Sequence, residues 1–469
     1  IVVLYFAGML GVGFYFRAKQ DSLDEYFVGG RKMSAGHIGF SVVATDVGGG
    51  FSIGLGGLGF MLGLSASWLL FSGLLGAWLA AVLLVPKVKA LGEKHRFRTF
   101  PDLLANRYGE RVRILAALVS AIGYAGFTGS QLLAGGKLTA AAFGLNVVPA
   151  VLIMAVVIIV YTALGGLEAV VYTDTVQWAI LLFGLTFLAL PLGYAAVGGW
   201  SGLQAALPDE MLTLSNVGWK QFGTWMITIV PIWFVAMTLH QRIHACRDVK
   251  TARRAWLLAG LLEWPAMAFI GAVLGLFAQV LFPELGPDQS EMGLPMVIRD
   301  VLPVAARGVV IAAYLAAIMS TADSCLLASV GNLIGDIYQR HLRPGRHALS
   351  ASAAADEGST LWLSRVLTLF VGFGSVAFAL LVPKVIDSIL LAYAFMVSGL
   401  LFPTIAALYW RRVTAHAAFW SILAGGVTAV VLSTPWIDPP LGLDPAFFGL
   451  PASGIVLLGV TFLTRPDPA

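Results

Sequence analysis

Apolar runs of about twenty residues recur from one end of this chain to the other, the length an α-helix needs to cross the hydrocarbon core of a bilayer. Thirteen are legible: 1 to 16, 37 to 60, 66 to 86, 114 to 143, 147 to 164, 170 to 196, 221 to 239, 254 to 281, 304 to 337, 361 to 382, 388 to 410, 415 to 436 and 447 to 464. The first opens mid-run without a Met, so the true start is expected upstream. A soluble fold carries about 25% charged residues. Here 12% are charged and 58% hydrophobic, and the 53 glycines lie inside the apolar runs, a placement common in membrane helices. The expectation is an all-α, multi-pass membrane protein without a soluble domain.

Thirteen spans put the termini on opposite sides. With the N-terminus outside, 24 of the 29 Lys and Arg residues fall in cytoplasmic segments, Lys220, Arg299, Arg307 and Lys384 fall outside, and Lys137 falls within a span. The positive-inside rule therefore predicts N-out, C-in. The net charge of +4 is too small to suggest a nucleic-acid partner. Cys246 and Cys325 are far apart and form neither a disulfide framework nor a metal-ligand spacing. The stretch 340 to 360, rich in Ser and Ala, reads as a flexible cytoplasmic linker.

Charges inside spans are costly and are functional candidates by default. In the second span Asp46 sits beside Gly48, Gly49 and Gly50. Three consecutive glycines cost a regular helix about 1 kcal/mol each, which predicts a broken helix. A cation at the break would satisfy both the freed carbonyls and Asp46; the alternative is close packing through the glycines, with Asp46 bonded to a neighbouring hydroxyl. In the ninth span Ala317, Ser320, Thr321 and Ser324 fall at i, i+3, i+4 and i+7, one polar stripe beside Asp323. Hard oxygen ligands suit a small hard cation, although Ser and Thr also join helices through backbone carbonyls. Asp174 and Gln177 lie near the start of the sixth span, where Asp174 fits a helix cap as well as a site.

Catalytic chemistry is not visible. No HExxH, nucleotide-binding glycine loop or Ser/His/Asp set is present, so no catalytic residue is assigned and an enzyme is not expected. His240 and His244 flank Arg242 at a cytoplasmic end, where a solvated or interfacial role is expected.

Four strings, DEYFVGGRKM, ATDVGGGFSIG, YTALGGLEAVVYTDTVQ and MSTADSCLLAS with GDIYQR, span residues 24 to 340. On these the chain resembles the sodium/solute symporter family, which includes the sodium/glucose, sodium/proline and high-affinity choline transporters. The resemblance implies a five-plus-five inverted-repeat, leucine-transporter-like core over 37 to 411. One extra helix would precede it at 1 to 16 and two would follow at 415 to 464. It implies that the first helix of each repeat is broken, here at Gly48 to Gly50 and at Pro231. It implies a sodium site from the carbonyls of Ala44, Val47 and Ala317 and the hydroxyls of Ser320 and Thr321, with Asp46 beside it. Asp174, Asp323 and Ser324, with Ser320, match the position where some members hold a second cation.

Gly48 stands where proline transporters carry a serine, and Asp46 where choline transporters carry a tryptophan. Substrate-lining candidates are Gly48, Gly49, Trp68, Phe71, Tyr124, Phe127, Gln131, Trp233 and Phe234. The expected function is sodium-coupled symport of a small polar organic solute by alternating access: an amino acid, an organic cation such as choline, or a small carboxylate. The alternatives are a transporter-like sensor module, which a C-terminal kinase domain would mark, and proton coupling through Asp46 or through Asp174 and Asp323. The resemblance implies sodium as the coupling ion and no cofactor, and the expected partners are the solute and the lipid bilayer of the cell membrane, with the protein a monomer or loose oligomer.

Overall fold

The structure, a computed structural model, describes residues 7–8, 11, 31–342, 352–434 and 436–465, with the backbone alone at 161, 164–173, 341–342, 352–359 and 361. The expected span at 1 to 16 therefore lies largely outside the described residues. Regular structure among the described residues is helical, apart from an isolated bridge between Met33 and Cys246. Nine of these helices are long and apolar enough to cross a membrane, or ten if one bent pair is counted as a single span.

The second span is two helices, α1 (Ala35–Asp46) and α2 (Gly48–Leu62), and a short 3-10 turn leads on to α3 (Trp68–Leu83). Two cytoplasmic helices follow, α4 (Val85–His95) and α5 (Phe100–Tyr108), then the long α6 (Glu110–Phe143). The backbone of α7 is helical from Val147 to Phe183, so the runs expected as separate spans at 147 to 164 and 170 to 196 are joined in one helix. The seventh span is the bent pair α8 (Trp219–Val235) and α9 (Met237–Ala245). The eighth is α10 (Val249–Leu261) and α11 (Ala268–Leu281), joined by a wide turn over Leu262–Met267. Then come α12 (Ser290–Asp300), α13 (Val304–Gly331), α14 (Ser352–Leu381), α15 (Val385–Tyr409), α16 (Ala415–Leu432) and α17 (Ala446–Leu463). Helix α14 begins nine residues before its expected start, which shortens the linker expected at 340 to 360.

Helix α13 is the axis of the fold. Of its most apolar stretch 94% is buried, against 33% for α14 and for α17, which turn Phe370 and Leu463 outward as lipid-facing side chains do. Lipid tails give apolar side chains no reason to prefer protein, so the helices associate by close packing at small residues. Gly59 and Gly275 show this: a Cβ on either would collide with the backbone of the facing helix, α11 for Gly59 and α2 for Gly275.

Candidate functional site

The first helix break falls at Val47 and Gly48. Gly48 has φ +42°, a conformation that L side chains resist, and it turns the chain from α1 into α2. Helix formation resumes at once through Gly49 and Gly50, so the break is tighter than three glycines suggest. The other two glycines are explained by approach: a Cβ on Gly49 would collide with Ile318, and one on Gly50 with Gln131. A new helix start leaves backbone N–H groups without intrahelical partners. Gln131 Oε1 accepts one of them, from Gly50 at 2.9 Å.

The second break is not at Pro231. Helix α8 runs through that proline, and the chain leaves helical geometry at Ala236 (φ −67°, ψ 117°), bending by 42°. Pro231 removes a single donor, whereas extended backbone at Ala236 interrupts the ladder itself. The freed ends are taken up locally. His240 Nε2 bonds the carbonyl of Phe234 at 3.0 Å, and Tyr124 Oη accepts from the Thr238 amide at 3.2 Å. Tyr124 and Gln131, expected on the solute, are thus the two α6 side chains that cap the broken helices.

Between α1 and α13 four oxygens converge. Thr321 Oγ1 donates to the carbonyl of Ala44 at 2.9 Å and of Ala317 at 3.2 Å; Ser320 Oγ reaches Ala317 at 2.8 Å and Ala44 at 3.4 Å. All four residues are buried, and a Cβ on Gly48 would collide with Thr321 Oγ1, so the break itself sits on the hydroxyl. Val47 forms the adjoining corner. Asp46 points elsewhere: its Oδ1 lies 3.4 Å from Tyr393 Oη, and its carboxyl meets that of Glu263.

One turn toward the cytoplasm, the same two helices meet a charge. The Arg242 guanidinium donates to Ser41 Oγ at 2.9 Å, Thr45 Oγ1 at 2.5 Å, Ser324 Oγ at 2.9 Å and Asp174 Oδ2 at 3.2 Å. Asp174 also accepts from Ser41 Oγ at 2.5 Å. It lies inside α7, so it is not a helix cap. Asp323 is buried alongside, with Asp174 and Arg242 as neighbouring charges. In this structure the cation on Asp174 and Ser324 is the chain's own guanidinium. The solvated or interfacial role expected for the His240, Arg242 and His244 group is therefore corrected: all three are fully buried, because the bend at Ala236 carries α9 into the protein.

The aromatic candidates separate into two groups. Phe127 packs edge-on against Tyr393 with ring centroids 5.1 Å apart, and Phe51 lies on the same ring at 6.2 Å. Trp68, Phe71 and Trp264 form a chain of edge contacts toward the outer side, where Trp68 Nε1 is tied to the Leu214 carbonyl. Trp233 is fully buried against Gly76, and Phe234 is buried next to it.

Sequence reasoning missed Glu263 and the partnership of Arg242. Glu263 was legible as an intramembrane carboxylate just before Trp264 and Pro265 in the eighth span.

At the cytoplasmic end, Arg113 joins Asp102 at 2.5 Å and Asp336 at 2.9 Å. Thr99 and Asp102 form a capping box on α5. Burial pushes the Asp102 carboxyl up, but the Arg113 guanidinium and the amides of Arg98 and Thr99 outweigh it and hold it below the usual carboxylate range.

Two broken helices around a polar centre are the architecture of an alternating-access transporter. The family model of the sodium:solute symporter family matches residues 26–425. The chain belongs to this family. The chain shares 28% identity with the sodium/pantothenate symporter of Escherichia coli (strain K12), over 92% of this chain and 90% of that one. It shares 26% with the sodium/proline symporter of Salmonella typhimurium (93% and 88%) and 27% with sodium/glucose cotransporter 4 of Mus musculus (100% and 76%). Its fold matches a substrate-bound, outward-open Na+-coupled sialic acid symporter with a TM-score of 0.80 at 21% identity, covering 100% of this chain and 98% of that one. A closed nucleobase-cation-symport-1 family transporter gives 0.58 at 16% identity (94% and 95%). The fold is thus leucine-transporter-like, and this symporter is a multi-pass, sodium-coupled secondary transporter working by alternating access.

Proposed function

We propose that sodium binds between α1 and α13, at the carbonyls of Ala44, Val47 and Ala317 and the hydroxyls of Ser320 and Thr321, and drives uptake of a small organic solute bound beside the two helix breaks. The observation that carries this reading is the convergence of Ser320 and Thr321 on the Ala44 carbonyl next to Gly48. In this conformation the hydroxyl hydrogens point at the carbonyls. A cation would turn those hydrogens away and draw on the same oxygens, so its binding sets the spacing of α1 and α13. Since α2 starts at Gly48, that spacing also sets the orientation of the solute region. Ion and solute are coupled through one joint, and each raises the other's affinity.

The inverted-repeat core is taken as 37–411, with 415–464 packed on its flank. The solute region comprises Gly48, Gly49, Phe127, Trp233 and Phe234, with Trp68 and Phe71 toward the outer side. Tyr124 and Gln131 act on the solute through the helix ends they cap. At the second cation position Arg242 replaces a free ion, which favours one sodium per cycle.

The test is solute uptake into proteoliposomes with and without an inward sodium gradient. Uptake is expected to need the gradient and to fall at least tenfold in Ser320→Ala. Uptake indifferent to sodium and to that substitution would remove the sodium assignment.

A further inference from the structure

We propose that Asp46 and Glu263 together hold a cationic, N–H-bearing group of the solute: a primary or secondary ammonium, or a guanidinium. This rests on the symport reading above and adds a substrate class to it.

Glu263 stands in the wide turn Leu262–Met267, where extended backbone at Trp264 lifts the side chain off a regular helix. It is fully buried, and no donor among the described residues reaches either of its carboxylate oxygens. The carboxyl of Asp46 lies within hydrogen-bonding reach of it, and Tyr393 Oη at 3.4 Å is the hydroxyl next to Asp46. Glu263 lies on the small-residue face of α3: a Cβ at Gly73 would collide with its Oε2. One turn further, at Gly76, the same face is covered by the indole of Trp233, whose Nε1 is also buried with no acceptor among the described residues.

Two carboxyls in contact inside a buried site stay ionised together only with a positive charge between them, and otherwise share a proton. Among the described residues, the buried cations are engaged elsewhere. Arg242 is held by Asp174, Lys137 by Glu291, Arg113 by Asp102 and Asp336, and Lys89 by the carbonyls of His244 and Cys246.

The chemistry of the surroundings narrows what the missing charge is. Glu263 lacks donors on both oxygens, so a ligand that brings N–H groups satisfies it and a quaternary ammonium does not.

The experiment is a thermal-shift panel on the purified full chain at fixed pH with sodium present, using matched probes. Ethanolamine, agmatine and L-proline carry N–H cations; choline and N,N-dimethylproline are quaternary counterparts; ethylene glycol and tetrahydrofuran-2-carboxylate lack the cation. At least one N–H cation is expected to stabilise the wild type, with its quaternary and uncharged counterparts at least tenfold weaker. Glu263→Gln should raise the half-saturating concentration at least tenfold and leave stabilisation by sodium alone unchanged. Should Glu263→Gln fail to fold, Glu263→Asp, which withdraws the carboxyl from Asp46, is expected to give the same shift.

No response to any N–H cation, a response only to quaternary or uncharged probes, or an unshifted response in the Glu263 variant would overturn the inference. So would full stabilisation of the wild type by acidification alone, lost in Glu263→Gln, since a shared proton would then fill the pair. Sodium stabilisation without an amine response removes this inference only; absence of sodium stabilisation removes the symport reading beneath it.

Discussion

The two polar clusters between α1 and α13 lie one helical turn apart and share the same helices, yet they are built for opposite tasks. The upper one, Ala44, Ala317, Ser320 and Thr321, has carbonyl and hydroxyl oxygens and no charge. The lower one, Ser41, Thr45, Asp174 and Ser324, is closed by Arg242. Hydroxyl hydrogens rotate at little cost, so the upper cluster can exchange its internal hydrogen bonds for an ion. The guanidinium cannot leave without α9, which carries it. One cluster is suited to exchange and the other to fastening the half-helix below the second break.

The largest effect should come from removing the fastening. Arg242→Met leaves Asp174 buried without its cation, and breaking a buried pair from one side costs about 3–5 kcal/mol. A large fall in thermal stability is expected, and adding Asp174→Asn should recover most of it by removing the stranded charge. A single variant as stable as the wild type, or a double variant no better than the single, would show that Arg242 is not a clamp.

The upper cluster is tested more selectively. Gly48→Ala places a side chain at φ +42° and drives it into Thr321 Oγ1. The backbone term alone is about 1–2 kcal/mol, and sodium stabilisation should vanish because Ala44 and Thr321 are pushed apart. Thr321→Ala is milder. It removes one hydroxyl, costs about 1 kcal/mol of stability, and should weaken half-saturation by sodium at least tenfold. If Thr321→Ala lost stability but kept its sodium response, the exchanging role would belong elsewhere.

This difference was only half legible in the sequence. The upper cluster could be read because its parts are local: a glycine run marks one helix, and an i, i+3, i+4 stripe marks the other. The lower cluster depends on where a chain bend sends a distant side chain, and no periodicity in 219–245 records that the bend comes at Ala236 and not at Pro231. Arg242 therefore read as a cytoplasmic residue that supports the orientation rule, when it is in fact buried. Tyr124 and Gln131 stand at i and i+7, a spacing that gives the helix face they share but not that the face meets helix ends. The spans were legible for the simplest reason, since hydrophobic length is a property of the chain alone. Glu263 was overlooked although its charge within an apolar run was visible; its meaning came only from Asp46, which lies 217 positions earlier.

The smallest effect concerns a third cluster, charged like the second, which shows what sealing does for that one. Asp102 pairs with Arg113 at the cytoplasmic end much as Asp174 pairs with Arg242, but its side chain keeps some solvent exposure where that of Asp174 has none. Its carboxyl is held below the usual carboxylate value of about 3.9, the guanidinium and two amides outweighing burial. A depressed acid contributes stability that is fully present above the unfolded value and is lost as pH falls through the folded one. From pH 6 down to about 4 the wild type should therefore stay more thermostable than Asp102→Asn, and below about pH 4 the gap should close as Asp102 takes up its proton. A gap that persists unchanged into that acid range would mean the Asp102 carboxylate charge is not what holds the end of α5 to α6, leaving Thr99 and the capping amides as the fastening there.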